Sequence, residues 1–150
     1  MSILQLASED VIKIGLTSQS HEKPDVLREL VQILVSAGKI NDLETVLQAL
    51  LKRESLQSTG LESGIAVPHA KTPVVSKLTL AIGISKEGIN FDAIDKKPSH
   101  LFFLLLSPPD KSGPHIGALA EIARLSTSKD ILLKLKEAAT TKDVIALLKQ

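Results

Sequence analysis

The sequence predicts a three-layer α/β/α domain built on one mixed β-sheet, and three observations carry that reading. Two amphipathic helices in succession precede three short apolar runs, three further helical stretches follow those runs, and two of the runs are apolar at nearly every position. A strand with one wet face alternates apolar and polar residues, so an unbroken run marks a strand covered on both faces. Such a sheet needs helices above and below, and this chain supplies them. The 150 residues, 43% of them apolar, suit one domain over 1–150, since a domain takes about 100–200 residues.

In order, "VIKIGLT" alternates well enough for a first strand, and the polar stretch from Thr17 to Lys23 ends it. In "KPDVLRELVQILVSAGKI" Pro24 suits a first helical turn, and Val26, Leu27, Leu30, Val31 and Leu34 form one apolar face. Gly38 supplies the stop. A second helix follows, with Asn41 and Glu44 spaced as a reciprocal cap and Leu43, Val46, Leu47, Leu50 and Leu51 at helical spacing. Arg53 and Glu54 fall at its C-terminal end, and "SLQSTGLESG" reads as turn. The apolar runs are "GIAV", "LTLAIGIS" and "HLFFLLLS", joined by the loops "KTPVVSK" and "KEGINFDAIDKKPS". Helices are predicted over "HIGALAEIARLS", "KDILLKLKEAA" and "TKDVIALLKQ", the last capped by Thr141.

Composition narrows the function. Eighteen basic residues against seventeen acidic give a net charge of +1, and aromatics make up 2%; neither an extended nucleic-acid surface nor a base-stacking platform fits that balance. With no cysteine in the chain, disulfides, thiolate metal sites and cysteine nucleophiles are excluded within it. The run "LFFLLL" is far shorter than the roughly 18 apolar residues of a membrane span, and the N-terminus lacks a basic-then-apolar leader. The expectation is a cytoplasmic protein without membrane insertion.

Two histidines leave predicted strands through proline-containing turns. Pro68 fixes its own φ and biases Val67 toward extended geometry, so His69 is carried past the strand on a stiff segment. His115 follows "SPPDKSGP" and opens the next helix. Sites in open α/β sheets form beyond strand ends, so both rings are candidates for one rim, with Arg53 approaching from the preceding helix. Two imidazoles and a guanidinium suggest phosphate chemistry: neutral imidazole is a nucleophile near pH 7, and Arg presents a fork matched to phosphate oxygens. A hydrolytic metal site fits poorly, because two histidines fall short of the three protein ligands that catalytic zinc takes. "STGLESG" lacks the Lys-Ser/Thr ending of a nucleotide phosphate loop. His21, in a polar connector, and His100, at a strand entry, have no motif support and read as structural or solvated.

The segments "STGLESGIAVPHAKT", with Arg53 sixteen residues before His69, "SKEGINFDAID" and the His115 stretch leading into "LAEIARL" closely resemble the fructose/mannitol-type enzyme IIA domain of the phosphoenolpyruvate-dependent sugar phosphotransferase system. The resemblance spans almost the whole chain. It implies a phosphorelay in which a histidine phosphocarrier protein charges His69, and His69 passes the phosphoryl group to a cysteine of a separate enzyme IIB. By the same match His115 supports the site, Arg53 binds phosphoryl oxygens, and neither metal nor cofactor is required. Ala70 leans toward fructose-type members rather than nitrogen-regulatory ones, which also remain open as a phosphorylation-dependent binding role. Some mannitol-type members carry an acid six positions before the histidine; Ser63 stands there, so no catalytic carboxylate is transferred.

Overall fold

The computed structural model describes residues 3–17 and 23–149; His21 lies outside the described residues. A short helix α1 (Ile3–Leu6) and a 3-10 turn (Glu9–Val11) lead into strand β1 (Ile12–Ile14), followed by helices α2 (Lys23–Ser36) and α3 (Leu43–Leu56). Next come β2 (Ile65–Ala66), β3 (His69–Lys71), β4 (Thr79–Ile89) and β5 (Ser99–Ser107), then α4 (Ser112–Leu125), α5 (Lys129–Lys136) and α6 (Thr141–Leu148).

The sheet is mixed, as the order of strands and helices predicts. β1 runs parallel to β4, β4 antiparallel to β5, and both β2 and β3 lie parallel along the far edge of β5. Strand β5 is the hub, and its side chains alternate between two cores. Phe102, Leu104 and Leu106 pack with Val26, Leu30, Leu34 and Leu50 of α2 and α3. Leu101, Phe103 and Leu105 pack with Ala118, Ile122, Leu132 and Val144 of the C-terminal helices. Burial on both faces is why "HLFFLLLS" carries no polar alternation.

Close approach of leucine side chains explains one small residue in the middle of β4. A Cβ on Gly83 would come within 2.7 Å of Leu30 Cδ2 and 2.9 Å of Leu16 Cδ2, so hydrogen at this position lets α2 seat its leucine on the sheet. Gly38, with φ 73°, ends α2 in the left-handed conformation that glycine adopts without strain.

Two caps differ from the sequence reading by one residue. The N-cap of α3 is Asp42, not Asn41: its Oδ1 accepts from Thr45 N–H at 3.1 Å, and Glu44 turns outward to meet Arg28 at 2.7 Å. Both Asn41 and Asp42 have the right side chain, and the pairing with Thr45 decides between them. Likewise Thr140 caps α6 by accepting from Asp143 N–H at 3.1 Å, while Thr141, expected as the cap, donates to Glu9 Oε1 at 2.8 Å.

Candidate functional site

The strand expected to end before Pro68 does end there, as β2, but a second strand, β3, resumes along the same edge directly after the proline. Proline has no N–H to give the ladder, so the edge is broken into β2 and β3. The carbonyl of Pro68 still accepts Leu105 N–H at 2.9 Å, and the chain resumes pairing with His69 opposite Leu105 and Lys71 opposite Ser107. His69 is therefore part of an edge strand rather than a residue in the loop past one. Ala70 turns toward the α2/α3 core, which leaves its neighbour His69 on the opposite face, toward α4.

Hydrogen bonding sets the state of the His69 ring. Its Nδ1 lies 2.7 Å from the carbonyl oxygen of Val67. A carbonyl only accepts, so Nδ1 carries the proton and Nε2 keeps an unshared pair. The turn that Pro68 stiffens thus orients the imidazole and also selects its tautomer.

His115 lies one turn into α4 rather than at its opening, and it is 6% exposed. Helical spacing explains the burial, because residues 115, 118 and 122 share one stripe and Ala118 and Ile122 are fully buried against the sheet. The structure brings the two rings together, with centroids 5.3 Å apart and planes at 61°. The Nδ1 of His115 sits 2.9 Å from Ser107 Oγ, at the end of β5.

Arg53 lines the same cleft, of about 560 Å³, together with Lys52, Leu56, His69, Lys71 and His115. Its Nη1 donates to the Gln57 carbonyl at 2.8 Å, just past the end of α3. One of five guanidinium N–H groups closes the helix end, and the fork retains further donors. Arg53 thus both closes the end of α3 and borders the cleft beside His69.

Electrostatics keep both imidazoles neutral. The pKa of His69 lies below its ordinary 6.5, chiefly through burial, with the Val67 hydrogen bond opposing, Arg53 pushing down and Glu54 pushing up. That of His115 is also lowered, by burial first and then by His69 and Lys71. Burial lowers a base because it penalises the charged form. A neutral nucleophile in a cleft rimmed by cationic side chains suits an anionic, electrophilic phosphoryl group.

Sequence reasoning missed two contributors. Glu54, at the C-terminal end of α3, pairs with Lys23 at 3.0 Å, is buried, and also accepts from the Thr59 amide and hydroxyl. It ties the chain leaving α3 back onto the helix that carries Arg53. The signal was an acid four residues after Leu50, on the apolar stripe. Ser107 was the other, a polar residue closing an apolar run.

His100 does not join the site. Five residues before Leu105 on β5, it stands about 16 Å away along the strand, with Nδ1 2.9 Å from the Ser85 carbonyl oxygen. It borders a separate cleft of about 640 Å³ that Glu62, Asp95 and Lys97 also line. Among the described residues no group of three His, Cys, Asp or Glu side chains is placed to hold a metal ion, and no helix is long and apolar enough to cross a membrane.

Comparison with known proteins places the chain in a family. The family described as "Phosphoenolpyruvate-dependent sugar phosphotransferase system, EIIA 2" matches residues 5–150. A fructose-specific EIIA component of Haloferax volcanii is 40% identical over 136 residues, covering 89% of this chain and 88% of that protein. The fructose-specific EIIABC component of Bacillus subtilis is 36% identical over 150 residues, but the chain spans only 23% of that protein's length. A nitrogen regulatory protein of Bradyrhizobium diazoefficiens is 32% identical, with 99% of this chain and 95% of that protein covered. Among solved structures, the nitrogen regulatory protein IIA-Ntr of Neisseria meningitidis superimposes with a TM-score of 0.83 at 29% identity, covering 97% and 98% of the two chains. The mannitol IIA of Escherichia coli shares the fold at 22% identity and a TM-score of 0.78, over 94% and 97%. With its mixed sheet, flanking helices and profile match across nearly its full length, the chain belongs to the type-2 EIIA family of the phosphoenolpyruvate-dependent sugar phosphotransferase system.

Proposed function

We propose that this chain, as one cytoplasmic enzyme IIA unit over residues 1–150, is a phosphocarrier in fructose-type sugar uptake, with His69 as its nucleophile. The observation that carries the proposal is the bare Nε2 of His69, held by the Val67 carbonyl beside His115 and the cationic side chains Lys52, Arg53 and Lys71. In the first step that electron pair attacks phosphorus as the P–N bond to the donor's phosphohistidine breaks, and the donor imidazole leaves with the bonding pair. The proton stays on Nδ1, hydrogen-bonded to the Val67 carbonyl, so the ring of His69 is released in the second step as neutral imidazole. There a cysteine thiolate of an enzyme IIB forms the P–S bond while the P–N bond breaks. Arg53 and His115 are assigned to the phosphoryl oxygens, whose charge shifts during both displacements. Transfer between two reactive phosphoryl carriers calls mainly for alignment and charge stabilisation.

Support for the partner comes from the solved complex of E. coli enzyme IIAMTL with phosphorylated enzyme IIBMTL, whose fold this chain shares at a TM-score of 0.78. The fructose assignment follows the Haloferax relative. The Bradyrhizobium and Neisseria relatives favour a second reading, in which the same phosphorylation controls binding to regulatory target proteins. Mixing the phosphorylated chain with purified fructose-type IIB domains separates them. Rapid appearance of label on the IIB cysteine is expected, and label that stays on this chain supports the regulatory reading.

The lowered pKa of His69 fixes the pH dependence of charging. Its neutral form is the larger fraction at pH 6.5, so the fall in the rate of phosphoryl acceptance with acidification is expected to have its midpoint below pH 6.5. Single-turnover labelling across a pH series, with the donor's own titration measured separately, checks it. A decline with a midpoint above pH 6.5 contradicts a desolvated, neutral nucleophile.

A further inference from the structure

We infer that Ser107 is a positioning residue: its hydroxyl donates to Nδ1 of His115 and holds that ring as the Nε2–H tautomer, the complement of the bare Nε2 on His69. The argument starts from proton counting. A serine hydroxyl has one hydrogen to give, a neutral imidazole has one donor and one acceptor nitrogen, and Ser107 is fully buried with Oγ 2.9 Å from His115 Nδ1. Were Nδ1 the protonated nitrogen, it would donate to Oγ, and the hydroxyl hydrogen would need another acceptor. Among the described residues Ser107 Oγ has no hydrogen-bond partner other than His115. Donation from Oγ to Nδ1 satisfies both groups, whereas the reverse leaves a buried hydroxyl hydrogen unmatched.

The backbone of Ser107 makes it a firm anchor. Its carbonyl accepts Thr72 N–H at 2.9 Å, and it stands opposite Lys71 in the ladder that carries His69. The serine that orients His115 and the strand that carries His69 are thus parts of one rigid sheet edge. Burial together with the nearby His69 and Lys71 keeps the His115 ring neutral, so the choice of tautomer decides what it offers to its surroundings. The two facing rings then have opposite character: His69 is fixed by a carbonyl as an electron-pair donor, and His115 by a hydroxyl as an N–H donor.

The consequence for catalysis rests on the phosphocarrier reading above; the tautomer assignment does not. On that reading the Nε2–H of His115 donates to an oxygen of the phosphoryl group borne by His69, and a His115 ring of the other tautomer would turn a lone pair toward the same negative charge.

Long-range ¹H–¹⁵N correlation spectra of the imidazoles, recorded on the unphosphorylated chain near pH 7.5, test the assignment directly. The expected result is opposite protonation, Nδ1–H for His69 and Nε2–H for His115. In Ser107→Ala the His115 resonances are expected to lose the single-tautomer pattern and acceptance of phosphoryl by His69 to slow about tenfold, with Ser107→Thr restoring both. Protonation of His115 at Nδ1 in the unmodified chain overturns the inference, as does an alanine variant with an unchanged His115 tautomer or with an altered tautomer and undiminished transfer. Should Ser107→Ala not fold, the spectrum of the unmodified chain decides alone. Opposite tautomers in a chain that accepts no phosphoryl group uphold the Ser107 assignment and remove the phosphocarrier reading instead.

Discussion

Alanine at position 69 is expected to abolish phosphoryl acceptance while leaving the fold intact. Loss of a covalent nucleophile removes the reaction's intermediate, so incorporation from the charged histidine phosphocarrier protein should fall roughly 10³-fold or more, to background. His115 is a poor substitute: it is 6% exposed, its Nδ1 is engaged by Ser107, and its helix faces the sheet. Stability should change little, because His69 is half-buried on an edge strand and its ring makes an edge-on contact with His115 and one hydrogen bond, 2.7 Å to the Val67 carbonyl, the latter with a net value of about 0.5–1.5 kcal/mol. Labelling and thermal unfolding of the same preparation check both halves. Undiminished labelling of His69→Ala places the chemistry elsewhere.

Phe102→Ala is expected to destabilise the chain by about 3–5 kcal/mol, the range for truncating a buried phenylalanine. Phe102 is fully buried on the central strand β5, pairs with Ala66 across the edge, and meets the Phe91 ring edge-on at 5.4 Å between centroids. Such a loss is a large part of the roughly 5–15 kcal/mol that holds a domain together. With an m-value of about 2 kcal/mol/M, the urea midpoint should drop by roughly 2 M. Leu133→Ala, at a side chain in a residue 58% exposed, should stay within about 0.5 kcal/mol and serves as the control. A shift below 1 kcal/mol for Phe102→Ala would show that the α2/α3 core repacks around the loss.

These two residues also mark what could be read from the sequence. Phe102 lies in a run whose lack of alternation signals burial on both faces, and that one pattern placed β5 between two helical layers. The stripes of α2 and α3 were equally legible, since 3.6-residue periodicity survives without knowledge of the partner. Strand β3 was not. Three residues after a proline, "HAK" carries no strand signature, and it pairs only because Pro68 leaves its carbonyl available and β5 extends far enough to receive the chain. The caps of α3 and α6 were each displaced by one residue, because neighbouring side chains of equal capping ability are separated only by backbone geometry.

For the site, the proline turns nominated His69 and His115, but their 5.3 Å approach depends on the register of β3 against β5 and the phase of α4. Ser107 and Glu54 were out of reach for the same reason: a serine at a strand end and a glutamate on a helix stripe gain roles only from what faces them. Tautomer, the property that most affects the chemistry, follows from two hydrogen bonds that no periodicity encodes.

The most direct measurement is to locate the phosphoryl group on the charged chain by ³¹P and ¹⁵N NMR at alkaline pH, where phosphohistidine persists. One equivalent bonded to Nε2 of His69 is the expected result. A phosphoryl group on Nδ1 of that ring, on His115, or on a hydroxyl side chain would contradict the account.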